Sequence, residues 1–110
     1  MTQIKIRRKN SKIVSVFCDG HTDYGEEGED IVCAALSSIV QTAALGLMQV
    51  ACLKVRYKVV AKDASLELIL PEDLSEADRN NADMILETMF LGIADLHSEY
   101  GKYIKMEVTK

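Results

Sequence analysis

The sequence predicts an α+β fold, a two-layer sandwich in which a mainly antiparallel five-stranded sheet carries two helices in the order ββαββαβ. Three observations predict it. Apolar residues alternate with polar ones in two pairs of short runs, at 2–18 and 54–70, each pair joined by turn-forming residues, which is the pattern of hairpins. Two long stretches, at 30–52 and 75–99, are apolar at helical spacing and free of proline. A last alternating run follows at 103–108.

Taken in order, Thr2 to Arg8 alternates Ile4 and Ile6 with Gln3, Lys5 and Arg7, as a half-buried strand does. Lys9-Asn10-Ser11 is a turn, and Lys12 to Cys18 resumes with Ile13, Val14, Val16 and Phe17, apolar enough to reach the core. This first hairpin leads into the stretch Asp19–Ser38, DGHTDYGEEGEDIVCAALSS. Its glycines Gly20, Gly25 and Gly28 permit positive φ and make a tight, shaped loop. Asp30 is a residue type preferred at a helix N-cap, so the first helix is expected from Asp30 to about Cys52. Ile31, Ala35, Ile39, Ala43, Leu47 and Val50 form one apolar stripe along it, and Val32, Leu36, Val40 and Ala44 a second. A helix apolar all round is either central and buried or shared with another subunit.

Two strands, Lys54–Ala61 and Ala64–Leu70, are expected to meet at Lys62-Asp63 in a second hairpin, and Pro71 ends the second of them. Ser75 and Asp78 fit a capping box that opens a helix to roughly Glu99. Its Met84, Ile85, Leu86, Met89, Phe90, Leu91, Ile93 and Leu96 offer more apolar surface than one sheet face needs. The excess predicts a patch that a second copy of the chain covers, a homodimer. The plainer reading is a filled monomer core with adaptable methionines. Gly101 ends the helix, and Tyr103 to Val108 is the last strand.

Length and charge bound the function. A chain of 110 residues holds one domain and is too short for two of ordinary size. Its net charge of −4, from 13 basic and 17 acidic residues, argues against direct nucleic-acid binding and for a peptide or protein partner. No apolar run is expected to reach the length of a bilayer span and the first residues lack a signal-peptide core, so no membrane association and a cytoplasmic location are expected. Three cysteines are an odd number without framework spacing, and in that compartment they are free thiols.

The chemistry centres on Cys33. Expected in the first helical turn, it meets free N–H groups and the positive end of the helix dipole, which favour a thiolate nucleophile over a packed thiol. His21 lies twelve residues upstream, on the loop that precedes the helix, and can fold back as its base. The same residues have plainer readings: Cys33 as a small core residue, His21 as a loop histidine with a structural hydrogen bond, and Asp30 as a cap. Ser37, four residues past Cys33, shares its helix face and can instead bond back to a carbonyl. Glu26, Glu27, Glu29 and Asp30 are either a solvated loop face or an attractant for a basic substrate segment. Cys18 and Cys52 read as structural thiols, and His97 as a cation near a helix C-terminus. Cys18, His21 and Cys33 can also be combined as three zinc ligands, but no cysteine pair has zinc-finger spacing. No metal or cofactor is expected.

Gly20-His21, the glycine-rich acidic spacer, and Asp30-Ile31-Val32-Cys33-Ala34-Ala35 with Ser37 following resemble the signature of the bacterial ribosomal-processing cysteine protease family, Prp. The resemblance extends to length, element order and His-to-Cys spacing. It implies a single cysteine protease domain over 1–110, a homodimer that removes the N-terminal extension of the large-subunit ribosomal protein numbered twenty-seven. It also implies Cys33 as nucleophile and His21 as general base, with Asp30 and Ser37 in support. The loop residues Gly20, Thr22, Asp23, Tyr24, Gly25 and Gly28 are then expected to close on the substrate peptide. A noncatalytic dimeric, ribosome-associated module using the same groove is the alternative.

Overall fold

The computed structural model describes residues 2–20, 29–60 and 65–110, at Glu29 and Asp30 through their backbone. β1 (Thr2–Lys9) and β2 (Lys12–Asp19) are followed by α1 (Glu29–Leu45) and a π-helical turn, Gly46–Val50. Then come β3 (Arg56–Val60), β4 (Ser65–Ile69), α2 (Glu76–Tyr100), a 3₁₀ turn at Gly101–Tyr103 and β5 (Ile104–Thr109). The five strands lie in the order β3-β4-β2-β1-β5. Only the β1–β5 pair, Thr2 opposite Ile104 through Arg7 opposite Thr109, runs parallel. The expected two-layer, mainly antiparallel α+β architecture is therefore the observed one.

The β1–β2 connection is a two-residue turn with Asn10 at φ 55° and Ser11 at φ 68°. Two successive positive φ values match the right-handed twist of the flanking strands, and this sets the register. Between Arg7 and Arg8 that register shifts: Arg7 faces Ser15 and Arg8 faces Ile13, leaving Val14 as the extra residue of a bulge. The bulge turns Ile13 into the core in place of Val14, while Arg8, in phase with Ile4 and Ile6, stays on the helix side, where it forks onto both carboxylate oxygens of Glu87 at 2.8 Å and lies 4.9 Å from the Phe90 ring. Its hydrogen bonds hold the Glu87 carboxyl below the usual range.

The core lies between the inner face of the sheet and the helices: Ile4, Ile6, Val16, Cys18, Leu66 and Leu68 meet Val32, Leu36, Val40, Ala44 and Leu47 of α1 and the π turn. Ala82, Leu86, Met89 and Ile93 of α2 complete it. Each large aliphatic chain removed from water here contributes roughly 1.5–3 kcal/mol before entropy is counted. The two apolar stripes of α1 have different fates. The one through Val32 and Leu36 faces the sheet, whereas Ile31 and Val50 of the other are 76% and 81% exposed. Its middle, Ile39, packs on α2, where a Cβ at Gly92 would touch Ile39 at 3.6 Å.

Several expectations are corrected here. The Ile31–Val50 segment has 20 residues at mean hydropathy 1.9 and is long and apolar enough to cross a membrane, contrary to the sequence reading; one face of it nonetheless packs into the core. Asp30 is the second residue of α1, so it is not the residue before the helix that a cap requires. Gly101 ends α2 as expected, at φ −58°, and leads into the 3₁₀ turn. Ser75 caps α2 as expected, accepting from the Asp78 N–H at 3.1 Å. The turn joining β3 and β4 lies outside the described residues.

Cys52 is exposed, with φ 57°, and it stops the first helix. Ala51 N–H donates to the Gly46 carbonyl and Leu53 N–H to that of Leu47, both at 2.9 Å, so the last carbonyls are satisfied around a left-handed residue. Glycine is the usual occupant of such a position because it lacks the Cβ clash. Cys52→Gly is therefore expected to raise stability by about 0.5 kcal/mol, its greater unfolded-state freedom offsetting part of the relieved strain. The midpoint of urea unfolding, at unchanged slope, checks it.

Candidate active site

The candidate site is built where β2 ends and α1 begins. β2 alternates, so Val16 and Cys18 point into the core between Ile4 and Leu66 while Phe17 and Asp19 point to the other face. Cys33 lies in the second turn of α1 and is half-buried. It is two residues deeper in the helix than expected with Asp30 as the cap. Helix geometry commits its N–H to the carbonyl of Glu29, so the N–H of Cys33 does not serve as an oxyanion donor. Donors for such a charge have to come from upstream of it.

Ser37 follows Cys33 by one turn on the same face, and its hydroxyl lies near the Cys18 thiol and favours its ionised form. Thr42 and Thr88 bond back, to the carbonyls of Ser38 and Met84 at 2.8 and 2.6 Å. Burial pushes the Cys18 thiol up to about 12; negative charge at Cys33 and at Asp19 adds to this, and the Ser37 hydroxyl opposes it. Cys18 is thus a neutral thiol at physiological pH, close enough to Cys33 for the two charges to interact. Its inward phase in β2 was readable, but its nearness to Cys33 depends on how α1 lies across the sheet.

The three free thiols occupy different settings: Cys18 buried, Cys33 half-buried at the site, and Cys52 exposed at the far end of the first helix. Of the other sequence-predicted residues, Gly20 follows β2 directly and is half-buried. His21, Thr22, Asp23, Tyr24, Gly25 and Gly28 lie outside the described residues, as does the Asp30 side chain. No group of three metal-ligating side chains gathers among the described residues. Two cavities lie elsewhere, a groove of about 600 Å³ between α1 and α2 and a cavity of about 440 Å³ beside the β1–β2 turn.

Residues 1–105 match the protein family described as cysteine protease Prp. The chain is 27% identical over 101 residues to the ribosomal processing cysteine protease Prp of Bacillus subtilis, covering 91% of this chain and 90% of that one. It is 31% identical over 100 residues to the protein of the same description from Staphylococcus aureus, covering 86% of each. Among solved structures, the S. aureus protease in complex with a substrate peptide superposes with a TM-score of 0.86 at 22% identity, covering 99% of this chain and 100% of that one. A Streptococcus mutans protein superposes with a TM-score of 0.83 at 25% identity, over 99% of this chain and 94% of that one. The thiol set at the head of α1 and the match along nearly the whole sequence agree: the chain belongs to the Prp family and is a cysteine peptidase.

Proposed function

We propose that the chain is a cytoplasmic, single-domain cysteine endopeptidase that removes the N-terminal extension of large-subunit ribosomal protein number twenty-seven during ribosome maturation. Cys33 is its nucleophile. The observation that carries this assignment is the contrast among the three thiols, since only Cys33 is both partly open to a substrate and next to the loop bearing His21. His21 takes the thiol proton, and Cys33 attacks the scissile carbonyl to give a thioester. Protonated His21 then assists the leaving amine before water releases the acid. Asp30 and Ser37 support the site, Ser37 from beside the Cys18 thiol. The loop from Gly20 through Gly28 contacts the substrate. The description of S. aureus relatives with a substrate peptide and with a covalently linked product peptide supports a peptide-cutting thiol in this fold.

The test is incubation of the purified chain with the extended ribosomal protein, read by intact mass. A shortened product is expected. A stable complex of two full-length chains supports instead the noncatalytic binding module.

We also propose that the protein is a homodimer through the groove between its helices. The groove is lined by Ile39, Ala43, Gly46, Met84, Ile85 and Met89 among others, and Met84 and Leu91 beside it are 73% and 69% exposed. No charged residue occurs between Ile31 and Leu53, so this flank of the first helix carries no charge against burial. Met84→Glu places a carboxylate in the apolar contact and is expected to halve the mass measured by light scattering at micromolar concentration. An unchanged mass removes this face as the interface.

A further inference from the structure

The net negative charge is unevenly distributed. α2 carries Glu76, Asp78, Asp83, Glu87, Asp95 and Glu99 against Arg79. The sheet face turned away from both helices has the opposite balance: Lys5, Arg7, Arg56, Lys58 and Lys105 against Asp19, Glu67 and Glu107. The strand registers place Glu107, Lys5, Phe17, Glu67 and Lys58 in one row across this face and Thr109, Arg7, Ser15, Ile69 and Arg56 in the next, so the second row carries cations without a carboxylate. Glu67 leans toward Arg56 at 3.9 Å, while Lys5, Arg7 and Lys58 have no ion-pair partner among the described residues. Phe17 is the aromatic ring in the middle of the face, partly exposed and on the opposite side of β2 from the buried Val16 and Cys18.

The bulge at Val14 hollows this face at its hairpin end into the cavity of about 440 Å³. Arg7, Lys9, Lys12 and Arg79 stand around its apolar floor of Ile69 and Pro71, with Glu72. Lys12 and Arg79 share the one carboxylate of Asp83, at 2.6 and 2.8 Å, so positive charge is left over there too. The volume is in the range that holds a small ligand such as a mononucleotide.

We propose that this face docks a single-stranded nucleic acid, with phosphates on Lys5, Arg7 and Lys58, a base stacked on Phe17 and a nucleotide entering the hairpin-end cavity. A sheet face with a central aromatic ring and cations free of ion pairs provides the two things single-strand recognition uses, a stacking platform and a positive track. An acidic peptide would use the cations and leave the ring without a counterpart. The expectation drawn from net charge averaged two faces of opposite sign.

The test is fluorescence anisotropy of a labelled, unstructured twelve-nucleotide RNA with the full chain at low salt. Binding is expected to weaken with salt at a log–log slope of about −2, as for roughly three phosphates on a single strand. Arg7→Glu with Lys58→Glu, two exposed changes that leave the fold and the cleavage of a free peptide intact, is expected to cost at least about tenfold and to flatten that slope. Phe17→Leu is expected to cost about tenfold without altering the slope. The proposal is overturned if the double variant binds as the parent does, or if poly-glutamate competes as well as RNA. It is also overturned if the double variant changes the molecular mass without RNA, which assigns the face to a second copy of the chain.

Discussion

Cys33→Ala is expected to lower the rate of ribosomal-protein shortening by at least about a thousandfold while leaving the protein folded. The sulfur makes and breaks the covalent bond in the proposed mechanism, so nothing of that pathway survives its loss. No other described thiol can take its place. Cys18 is buried in the core with its titration pushed up to about 12, leaving it almost wholly protonated at neutral pH. Cys52 sits nineteen positions along the chain and, at the helical rise, about 28 Å away. Because Cys33 is half-buried, alanine leaves only a small void, and a stability change of about 1 kcal/mol or less is expected. The check is a time course by intact mass together with thermal unfolding of both proteins. Shortening at the parental rate by the folded variant would remove Cys33 as the nucleophile.

The second large effect is alkaline destabilisation through Cys18. Its folded-state titration is raised to about 12 from a reference of 9.0, mainly by burial. Below about pH 9 both folded and unfolded chains keep this proton, and the contribution to stability is complete. Between about 9 and 12 the unfolded chain loses the proton and the folded one keeps it. Stability therefore falls as pH rises, by up to about 4 kcal/mol across the window and by about 2 kcal/mol near pH 10.5. Lysines and tyrosines titrate in the same range, so the measurement is the difference between the parent and Cys18→Ala in urea midpoints at pH 7, 9 and 10.5. The variant starts lower, having lost core volume, and its profile is expected to be flatter by that amount. Parallel profiles would show that Cys18 ionises freely in the folded protein.

Local patterns carried most of the fold. Asn10-Ser11, Pro71 and Ser75 act within a few residues of themselves, so the hairpin turn, the strand end and the helix cap could be read where they stand. The neighbour of β1 could not, because β5 reaches it from about a hundred residues away. Nor could the inward stripe of α1, since both stripes are apolar and the choice depends on α2 taking Ile39 and the sheet taking Leu36. Cys52 ends its helix in a conformation suited to glycine, and its residue type gives no warning of this. At the site, Cys33 and Ser37 were recognisable from their motif and shared helix face. The influence of Ser37 on Cys18 was not, because it acts between a helix and a strand whose separation no sequence pattern encodes.

The parallel contact between β1 and β5 constrains how the protein comes into being. During synthesis β1 has its hairpin partner at once, but its other edge stays open until β5, about a hundred residues later, has emerged. Until then that row of unmatched amides is a template for any passing extended segment. The closing step joins two strands about a hundred residues apart, so an altered β5 would be felt first as a failure of the newborn molecule to seal itself.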